Sequence, residues 1–485
     1  MCGIVGIVST QPVNQQIYDS LLLLQHRGQD STGIATADGP IFHVAKARGQ
    51  VREAFRTRDM RSLLGNTGLG HVRYTTKGAA GREEEAQPFY VNAPYGLLLV
   101  HNGNLTNTRE LSNELFSIDR RHVNSTSDTE MLLNVLATAL QEQITGFELD
   151  ADHVFHAVEQ LHDRVEGSYA VIAMIAGHGL LAFRDPYGIR PLILGTRVTA
   201  SGTHEWIVAS ESLVLENGNY DIVRDVEPGE AIFITPDGAM TARQCARTPR
   251  LVPCSFEYVY LARPDSVMNG VSVYEARLRM GNRLASTVER LVPTGEIDVV
   301  MPIPDSSRPA AMQVAQKLGI EYREGFYKNR YVGRTFIMPG QEQRTRSVRQ
   351  KLNAMRSEFH GKNILIVDDS IVRGTTSQQI VDMARAAGAN KVTFTSAAPP
   401  VRYPHVYGIN MPSRTELIAH GRSLPEIATV LGADHMIYQE VDDLRTAITA
   451  GTSMTDLDLS CFTGEYVTKN VGEEYLAWLE KTQLS

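Results

Sequence analysis

The sequence predicts two domains of different fold class, an α+β domain followed by an α/β domain with a parallel sheet. A chain of 485 residues is long enough for two or three domains. In the first half, strands rich in Val, Ile and Leu follow one another without regularly intervening helices, which is typical of layered α+β domains. In the second half, strands and helices alternate in βαβ order, which predicts a parallel, doubly wound sheet.

Apolar periodicity locates the elements of the first half. Helices are predicted at Val13–Leu24 and Asp128–Leu140, where apolar residues recur on one helical face. Thr126 and Ser127 supply N-cap candidates just ahead of the second helix. The strands are predicted at Gly3–Val8, Gly70–Thr75, Gly96–His101, Tyr169–Ile175 and Ala231–Ile234.

A polar, basic connecting segment at Thr235–Pro253 separates the two halves, and Pro236-Asp237-Gly238 within it predicts a turn. We therefore place the first domain at 2–235, the second at 254–456 and a C-terminal helical extension at 457–485, with a helix near Glu473–Lys481. The alternating elements of the second domain are the strands Asp298–Pro302, Ile364–Val367, Lys391–Ser396 and Met436–Tyr438 and the helices Arg308–Leu318 and Thr376–Ala387.

Composition narrows the class of protein. The net charge of -8 argues against a chain-wide role in binding nucleic acid or anionic membranes. No apolar run approaches the roughly 20 residues that span a bilayer, and no basic segment precedes the N-terminal apolar run as in a signal peptide. Four irregularly spaced cysteines do not resemble a disulfide framework, so we expect a reducing, cytoplasmic setting.

Cys2 is a candidate nucleophile because it directly follows Met1. Removal of Met1 would leave a thiol and a free α-amino group on one residue, and that amine has a reference pKa of roughly 7.7–8.0. A nucleophile beside its own base is a compact catalytic unit. The alternative is a small, buried core cysteine.

Polar residues at the ends of the predicted strands offer further candidates. Asn102-Gly103 is either a hairpin turn or a pair of donors, one side-chain amide and one backbone N–H, for a developing oxyanion. Arg73 could bind a carboxylate with two hydrogen bonds or be a solvated strand-end residue. Asp128 could bind an ammonium group or cap its helix.

Taken together, these motifs resemble the class II glutamine amidotransferase domain: Cys-Gly-Ile-Val-Gly at Cys2, then Gln-His-Arg-Gly-Gln-Asp, His-Val-Arg-Tyr, His-Asn-Gly-Asn and Ser-Asp-Thr-Glu in this order. The resemblance implies an Ntn-hydrolase sandwich, two stacked antiparallel sheets between helix layers. It implies that Cys2 attacks the glutamine amide, that Asn102 and Gly103 form the oxyanion hole, and that Arg73 and Asp128 bind the amino-acid end of glutamine.

A second candidate site follows the strand Ile364–Val367. Asp368 and Asp369 stand at its carboxyl end, where parallel sheets bind ligands, and a Gly-, Ser- and Thr-rich loop then opens a helix whose N-terminus suits a phosphate. Two buried carboxylates need a cationic or hydroxylated partner. The alternative is an acidic turn at a strand end.

The segment 364–376 resembles the phosphoribosyl pyrophosphate (PRPP) motif of type I phosphoribosyltransferases. The resemblance implies that Asp368 and Asp369 bind the ribose hydroxyls near Mg²⁺, and that Ser306 contacts the metal. Oxygen ligands of this kind suit Mg²⁺. It also implies that the 5-phosphate lies in the loop formed by Ser370, Arg373, Gly374, Thr375 and Thr376.

A basic, aromatic segment broken by Gly and Pro runs through Tyr327–Lys351 between these strands. Single-stranded nucleic acid would stack on its Tyr residues and contact its Arg residues, but the acidic chain disfavours that interpretation. We expect a mobile lid over pyrophosphate, which excludes water once substrate is bound. Its candidate residues are Lys328, Arg330 and Arg334.

A class II glutaminase joined to a type I phosphoribosyltransferase resembles the glutamine PRPP amidotransferase family over nearly the whole chain. The resemblance implies conversion of PRPP, glutamine and water to 5-phosphoribosylamine, glutamate and pyrophosphate, with ammonia passed between two sites. It also implies purine nucleotide feedback inhibitors and a homo-oligomer, either a tetramer or a dimer. The alternative function is a non-catalytic PRPP-sensing regulator, which would have no use for Cys2 or Asn102-Gly103.

Some members of that family carry a cleaved propeptide and an iron–sulfur cluster held by four cysteines. Here Cys2 follows Met1, so we expect no propeptide beyond methionine removal. Two cluster positions correspond to Cys254 and Cys461, but the other two correspond to His405 and Asp458. Clusters are ordinarily bound by Cys thiolates, so no iron–sulfur cluster is predicted, and whether this mixed set binds another metal stays open.

Overall fold

The computed structural model describes residues 2–74, 85–143, 148–329, 352–411 and 413–484, and it confirms the two predicted fold classes. The described strands of the first domain are β1 (Gly3–Val8), β2 (Ser31–Asp38), β3 (Ile41–Arg48), β4 (Thr67–Arg73), β5 (Phe89–Val91), β6 (Leu97–Leu105), β7 (Gly167–Ile175), β8 (Gly179–Arg184), β9 (Ile193–Val198), β10 (His204–Ala209), β11 (Asp221–Asp225), β12 (Glu230–Ile234) and β13 (Met240–Gln244). The described helices are α1 (Asn14–Leu23), α2 (Val51–Ala54), α3 (Thr57–Ser62), α4 (Thr108–Ser117), α5 (Asp128–Gln143), α6 (Ala151–Arg164) and α7 (Ser212–Asn217).

These strands form two stacked antiparallel sheets. The seven-stranded sheet has the order β11-β9-β10-β1-β4-β2-β3, and the six-stranded sheet has the order β13-β12-β8-β7-β6-β5. Helix α1 packs on the outer face of the first sheet, and α5 and α6 pack on the outer face of the second. The first domain is therefore the predicted sandwich of two sheets between helix layers.

The apolar run of β1 reflects burial on both of its faces. Ile4 and Val8 point into the core between the sheets, whereas Val5 and Ile7 pack on the α1 side. Between them, a Cβ at Gly6 would lie 2.7 Å from Ile172 Cγ2 in the opposite sheet, so only glycine permits this approach. The residue just ahead of β1, Cys2, is thus attached to one of the best-packed strands of the domain.

The second domain is built on a parallel sheet. Its described strands are β14 (Val267–Met268), β15 (Val271–Ser272), β16 (Val299–Pro302), β17 (Glu321–Tyr322), β18 (Phe326–Lys328), β19 (Leu352–Ala354), β20 (Asn363–Asp368), β21 (Lys391–Ser396) and β22 (His435–Tyr438). Its described helices are α8 (Val273–Leu291), α9 (Arg308–Leu318), α10 (Arg356–Phe359), α11 (Thr375–Ala386), α12 (Leu424–Leu431) and α13 (Val441–Thr449). The predicted strands and helices of this half are all present, with ends that differ by one residue at most.

Strand order places a ligand crevice in this domain. The sheet runs β17-β16-β20-β21-β22, so the first strand of the sheet lies between the second and the third. The order reverses between β16 and β20, which are parallel neighbours. Open α/β sheets bind ligands outside the carboxyl ends of the strands at such a reversal, and Ser306 and Asp368 both lie there.

The two domains share one apolar cluster. It joins α1 and the outer side of β1 to Tyr258 and Tyr407 of the second half and to Leu459 and Phe462 near the C-terminus.

The last described helices are α14 (Ser460–Thr463) and α15 (Glu473–Leu484). The boundaries at 235, 254 and 456 stay predictions, and β13 continues the six-stranded sheet to Gln244. No helix within the described ranges has the length and apolar character needed to cross a membrane.

Candidate active site

The first centre surrounds Cys2 at the start of β1. The residue is 8% exposed, and its backbone nitrogen donates to Asn102 Oδ1 over 3.2 Å. Its thiol lies 3.9 Å from the Tyr74 carbonyl oxygen. The antiparallel strands β1 and β4 pair Gly3 with Val72. Cys2, the residue before Gly3, therefore lies opposite Arg73, the residue after Val72. The structure therefore brings Cys2, Asn102 and Arg73 together, although they are far apart in sequence.

Asn102 and Gly103 do not form a hairpin turn, because both lie inside β6 and pair with β7. Asn102 is 1% exposed, and its Oδ1 accepts from Cys2, which leaves Nδ2 as the free end of the amide. That Nδ2 is buried without a hydrogen-bond partner among the described residues. A buried, unsatisfied donor is costly in a resting protein and is what a developing oxyanion requires.

Gly103 is needed for a close contact within the sheet. A Cβ at this position would lie 2.0 Å from the Ser168 carbonyl oxygen and 2.7 Å from His101 Nε2. Any side chain here would force β6 and β7 apart and displace Asn102 with them. The glycine thus fixes the amide beside Cys2.

Arg73 and Asp128 both have polar partners in the structure. The Arg73 guanidinium pairs with the Glu85 carboxylate, whose Oε1 also accepts from Thr126 Oγ1 over 2.8 Å. Asp128 is the first residue of α5 rather than the residue before it, and its Oδ2 accepts from the Leu105 N–H at 3.0 Å. Its side chain is 21% exposed. Arg73 therefore already binds a carboxylate, and Asp128 keeps a solvent-accessible side.

Arg27 was not predicted as a site residue, and it contacts Cys2 directly. Its Nε donates to the Cys2 carbonyl oxygen over 3.0 Å, Nη1 donates to Glu211 Oε1 over 2.5 Å, and Nη2 donates to Glu257 Oε1 over 2.8 Å. Arg190 also donates to Glu257 Oε1, at 3.2 Å. The two acids stand 184 and 230 residues from Arg27, so no local sequence signal reveals this network.

Charge complementarity keeps the network ionised despite its burial. Burial alone would raise the pKa of Glu211, but the Arg27 charge and a hydrogen bond with His26 lower it to about 2. Burial would likewise lower the pKa of Arg27, and the Glu257 and Glu211 charges outweigh this effect and raise it. The Arg27 guanidinium and the Glu211 carboxylate therefore stay charged at neutral pH.

The second centre lies at the reversal of strand order. Asp368 ends β20 and is followed by Asp369. The Asp369 carboxylate accepts hydrogen bonds from the hydroxyls of Ser306 and Ser370. Burial raises the pKa of Asp368 well above its usual range, and the charge of Asp369 raises it further. Burial also raises the pKa of Asp369. The half-buried Asp368 and the buried Asp369, with hydroxyl neighbours, offer hard oxygen ligands for a divalent cation.

A tight loop connects these carboxylates to α11. Gly374 has a φ of +78°, and a Cβ there would lie 2.2 Å from Ile418 Cδ1, so glycine is required both for conformation and for space. Thr375 and Thr376 form the first turn of α11, where free N–H groups favour an anion. Arg373 is exposed, with Nε 3.5 Å from Glu416 Oε1.

Of the predicted lid residues, only Lys328 lies in the described part of the chain. It ends β18, and its Nζ donates to Asp305 Oδ2 over 2.6 Å, next to Ser306. Arg330 and Arg334 lie outside the described residues, as does the rest of 330–351.

We predict that Arg27→Met destabilises the protein, because it leaves Glu211 and Glu257 buried without their common cation. Breaking a buried ion pair by removing one partner costs about 3–5 kcal/mol. Urea unfolding followed by tryptophan fluorescence measures the loss. Arg58→Met is the matched control, since Arg58 is 83% exposed and pairs only at the surface, and an equal effect of both variants would contradict the role assigned to the network.

Comparison with known proteins agrees with this two-centre arrangement. A glutamine amidotransferase domain model matches residues 71–217, and a phosphoribosyl transferase domain model matches residues 272–408. The chain is 54% identical to the amidophosphoribosyltransferase of Pseudomonas aeruginosa over 100% of this chain and 96% of that protein. It is 46% identical to the enzyme of Saccharomyces cerevisiae over 100% of this chain and 96% of the relative.

Two solved structures match nearly the whole chain. One is glutamine PRPP amidotransferase from B. subtilis complexed with ADP and GMP, with a TM-score of 0.85, 36% identity and coverage of 97% of this chain and 98% of that one. The other is described as the allosteric regulatory enzyme of purine biosynthesis, with a TM-score of 0.86, 36% identity and 99% coverage of both chains. From this full-length identity and the order of its two domains, the chain belongs to the amidophosphoribosyltransferase family, the glycosyltransferases that catalyse the first committed step of purine synthesis.

Proposed function

We propose that this chain uses Cys2 to release ammonia from glutamine and the Asp368–Asp369 centre to transfer that ammonia to PRPP, giving 5-phosphoribosylamine, glutamate and pyrophosphate. The observation that carries the proposal is the unsatisfied, buried Nδ2 of Asn102, whose Oδ1 accepts from the backbone nitrogen of Cys2. A PRPP-sensing regulator has no need for that arrangement, and the full-length relatives are enzymes.

The glutamine reaction follows from the geometry of the first centre. The Cys2 thiolate attacks the amide carbon, and the Cys2 α-amine, freed by loss of Met1, takes the thiol proton and returns it to the departing ammonia. Asn102 Nδ2 and the Gly103 N–H stabilise the oxyanion, a contribution of about 2.7–4 kcal/mol for each donor. Water then hydrolyses the glutamyl thioester and restores the thiol.

Arg73 and Asp128 orient the substrate in this proposal. The α-carboxylate of glutamine replaces Glu85 on Arg73, since both are carboxylates and Arg73 has the planar donor pair that suits them. The α-ammonium group binds the accessible side of the Asp128 carboxylate. These contacts select an amino acid over a simple amide.

The second centre supports PRPP binding. Asp368 and Asp369 accept hydrogen bonds from the ribose hydroxyls, and the loop formed by Ser370, Arg373, Gly374, Thr375 and Thr376 binds the 5-phosphate at the N-terminus of α11. Ser306, Asp368 and Asp369 present the oxygen ligands that suit Mg²⁺. When bound, Mg²⁺ supplies charge stabilisation for the leaving pyrophosphate.

Neutral ammonia has to reach the ribose before it is protonated or lost to solvent. The shared apolar cluster between the domains supports an apolar route from one centre to the other. Lys328, Arg330 and Arg334 form the proposed lid that excludes water and stabilises pyrophosphate. The substrates are thus two small molecules, and we propose no nucleic acid or membrane partner.

Regulation, oligomeric state and cellular localisation are also part of the proposal. The B. subtilis structure contains ADP and GMP, and we extend purine nucleotide feedback inhibition to this chain. We propose a homo-oligomer, a tetramer or a dimer, in the cytoplasm.

Cys2→Ala tests the proposed nucleophile. It should abolish glutamine-dependent synthesis of phosphoribosylamine and leave synthesis from added ammonia intact, because the second centre is unchanged. The assay compares pyrophosphate release with glutamine and with ammonium chloride. Cys245→Ala is the matched control, since Cys245 is another buried cysteine and packs in the apolar cluster on the six-stranded sheet. Survival of glutamine use in Cys2→Ala would rule out the assigned nucleophile.

Asp369→Asn tests the second centre. It should raise the KM for PRPP about 10- to 100-fold in both assays, because hydrogen bonds to a charged group contribute about 1.5–3 kcal/mol. Asp382→Asn, on the exposed side of α11, is the matched control and should behave like the unmodified protein. Chelation by EDTA should stop both activities, and added Mg²⁺ should restore them. An unchanged KM for PRPP in Asp369→Asn would contradict the assignment.

A further inference from the structure

A loop of the second domain rests directly on the strand that carries Asn102 and Gly103. This contact loop comprises residues 404–408, and a Cβ at Gly408 would lie 2.8 Å from the Gly103 carbonyl oxygen. Gly408 also has a φ of +99°. The two backbones therefore touch, and the peptide of Gly103 is held from outside its own sheet by the other domain.

Hydrogen bonds from three side chains of the first domain reinforce this contact. Asn104 Nδ2 donates to the Val406 carbonyl oxygen over 2.9 Å. Ser168 Oγ donates to the Tyr407 carbonyl oxygen over 3.0 Å, and Arg190 Nε donates to the same oxygen over 2.7 Å. Because Asn104 and Ser168 flank the Gly103 contact on β6 and β7, the position of the contact loop bears on the oxyanion donors themselves.

One side chain fixes the contact loop to the rest of the second domain. His405 is 4% exposed, and its Nε2 lies 3.1 Å from Asp458 Oδ2 and 3.3 Å from Cys254 Sγ. Asp458 is itself anchored, because its backbone N–H donates to the Pro253 carbonyl oxygen over 2.9 Å and its Oδ1 accepts from the Ser460 N–H over 3.1 Å. His405 thus ties the contact loop to two other chain segments.

The donor set looks like a metal site, but its hydrogen bonds oppose one. Ligand atoms of Cys254, His405 and Asp458 all lie within 4.8 Å of one another. A metal bound at His405 Nε2 needs the lone pair there and a proton on Nδ1, which should then donate to an acceptor. Instead, Nδ1 accepts from the Tyr407 N–H over 3.2 Å. The proton therefore belongs on Nε2, where it donates to Asp458.

An iron–sulfur cluster also does not match these side chains. Such clusters are bound by thiolates, and burial raises the pKa of the Cys254 thiol to about 12. A neutral thiol beside a neutral imidazole and a carboxylate is a hydrogen-bonded group rather than a set of ligands for iron.

We propose that the His405–Asp458 hydrogen bond is a metal-free clamp that holds the contact loop against Gly103 and so positions the oxyanion hole for glutamine hydrolysis. His405 is a positioning residue in this account, which rests on the proposed function of Asn102 and Gly103. The clamp makes the glutaminase of the first domain depend on the second domain without any contact between His405 and substrate.

His405→Ala tests the clamp. It should lower kcat for glutamine-dependent synthesis about tenfold or more, a fraction of the effect of losing an oxyanion donor, with the KM for glutamine unchanged. Synthesis from ammonia should be unaffected and serves as the check on folding. His405→Gln should recover most of the lost kcat, because its amide can donate to Asp458 in place of Nε2.

Gly408→Ala tests the same contact from the other side. Its Cβ would press on the Gly103 peptide, so it should reproduce the kcat loss with His405 intact. Gly421→Ala is the matched control, because Gly421 also has a positive φ, +66°, but nothing lies within 4 Å of its Cβ position. Elemental analysis of the full chain purified with excess zinc should find no stoichiometric zinc or iron that His405→Ala removes.

Several results would overturn the clamp. They are equal loss of both activities in His405→Ala, failure of His405→Gln to recover kcat, and one zinc or iron per chain that His405→Ala removes. If Cys2→Ala abolishes glutamine use while His405→Ala and Gly408→Ala leave kcat unchanged, only the clamp fails. If Cys2→Ala retains glutamine use, the proposed function itself fails.

Discussion

A buried network of four charges, formed by Arg27, Glu211, Glu257 and Arg190, joins the two halves of the chain behind Cys2. Removing these groups from water is expensive, and mutual attraction offsets that cost only when every charge has partners in good geometry. Here each carboxylate has at least two donors, and Arg27 also binds the Cys2 carbonyl oxygen. The network therefore favours one relative placement of the domains, and that placement fixes the position of Cys2, the proposed nucleophile.

Fixed placement of the domains matters because the reaction is divided between them. In the proposed reaction, ammonia released at Cys2 can attack the ribose only if it arrives uncharged, so water has to be excluded from the space between the centres. An apolar cluster surrounds the charged network on the same interface. The contact loop adds a second contact between the domains, through Gly408 on Gly103, so both Cys2 and the proposed oxyanion donors are supported from the second domain.

Local patterns in the sequence predicted part of the elements, while others, such as the helices Ala151–Arg164 and Val273–Leu291, were not predicted. The helix Arg308–Leu318 and the strand Gly3–Val8 match the structure at both ends, because an apolar period and clear flanking residues define each. The strand predicted to end at His101 instead continues through Asn102-Gly103 to Leu105. The strand continues because Gly103 alone permits the approach of Ser168.

Long-range partners could not be predicted in this way. No sequence feature near Glu257 predicts its pairing with Arg27, and no sequence feature near Gly408 predicts that Gly408 contacts Gly103. For the mixed set at Cys254, the sequence left metal binding open, and only the direction of the Tyr407 N–H toward His405 Nδ1 decides where the imidazole proton lies. Such features depend on the packed interface, which single-sequence patterns do not encode.

The central claim is that the two centres operate as one enzyme, and product stoichiometry tests it most directly. Glutamate and pyrophosphate should be measured together with Mg²⁺, PRPP and glutamine, and with each substrate omitted in turn. The account predicts equimolar products that require both substrates. Glutamate formed without pyrophosphate would mean a glutaminase that serves another acceptor, and neither product would mean that the chain is not this enzyme.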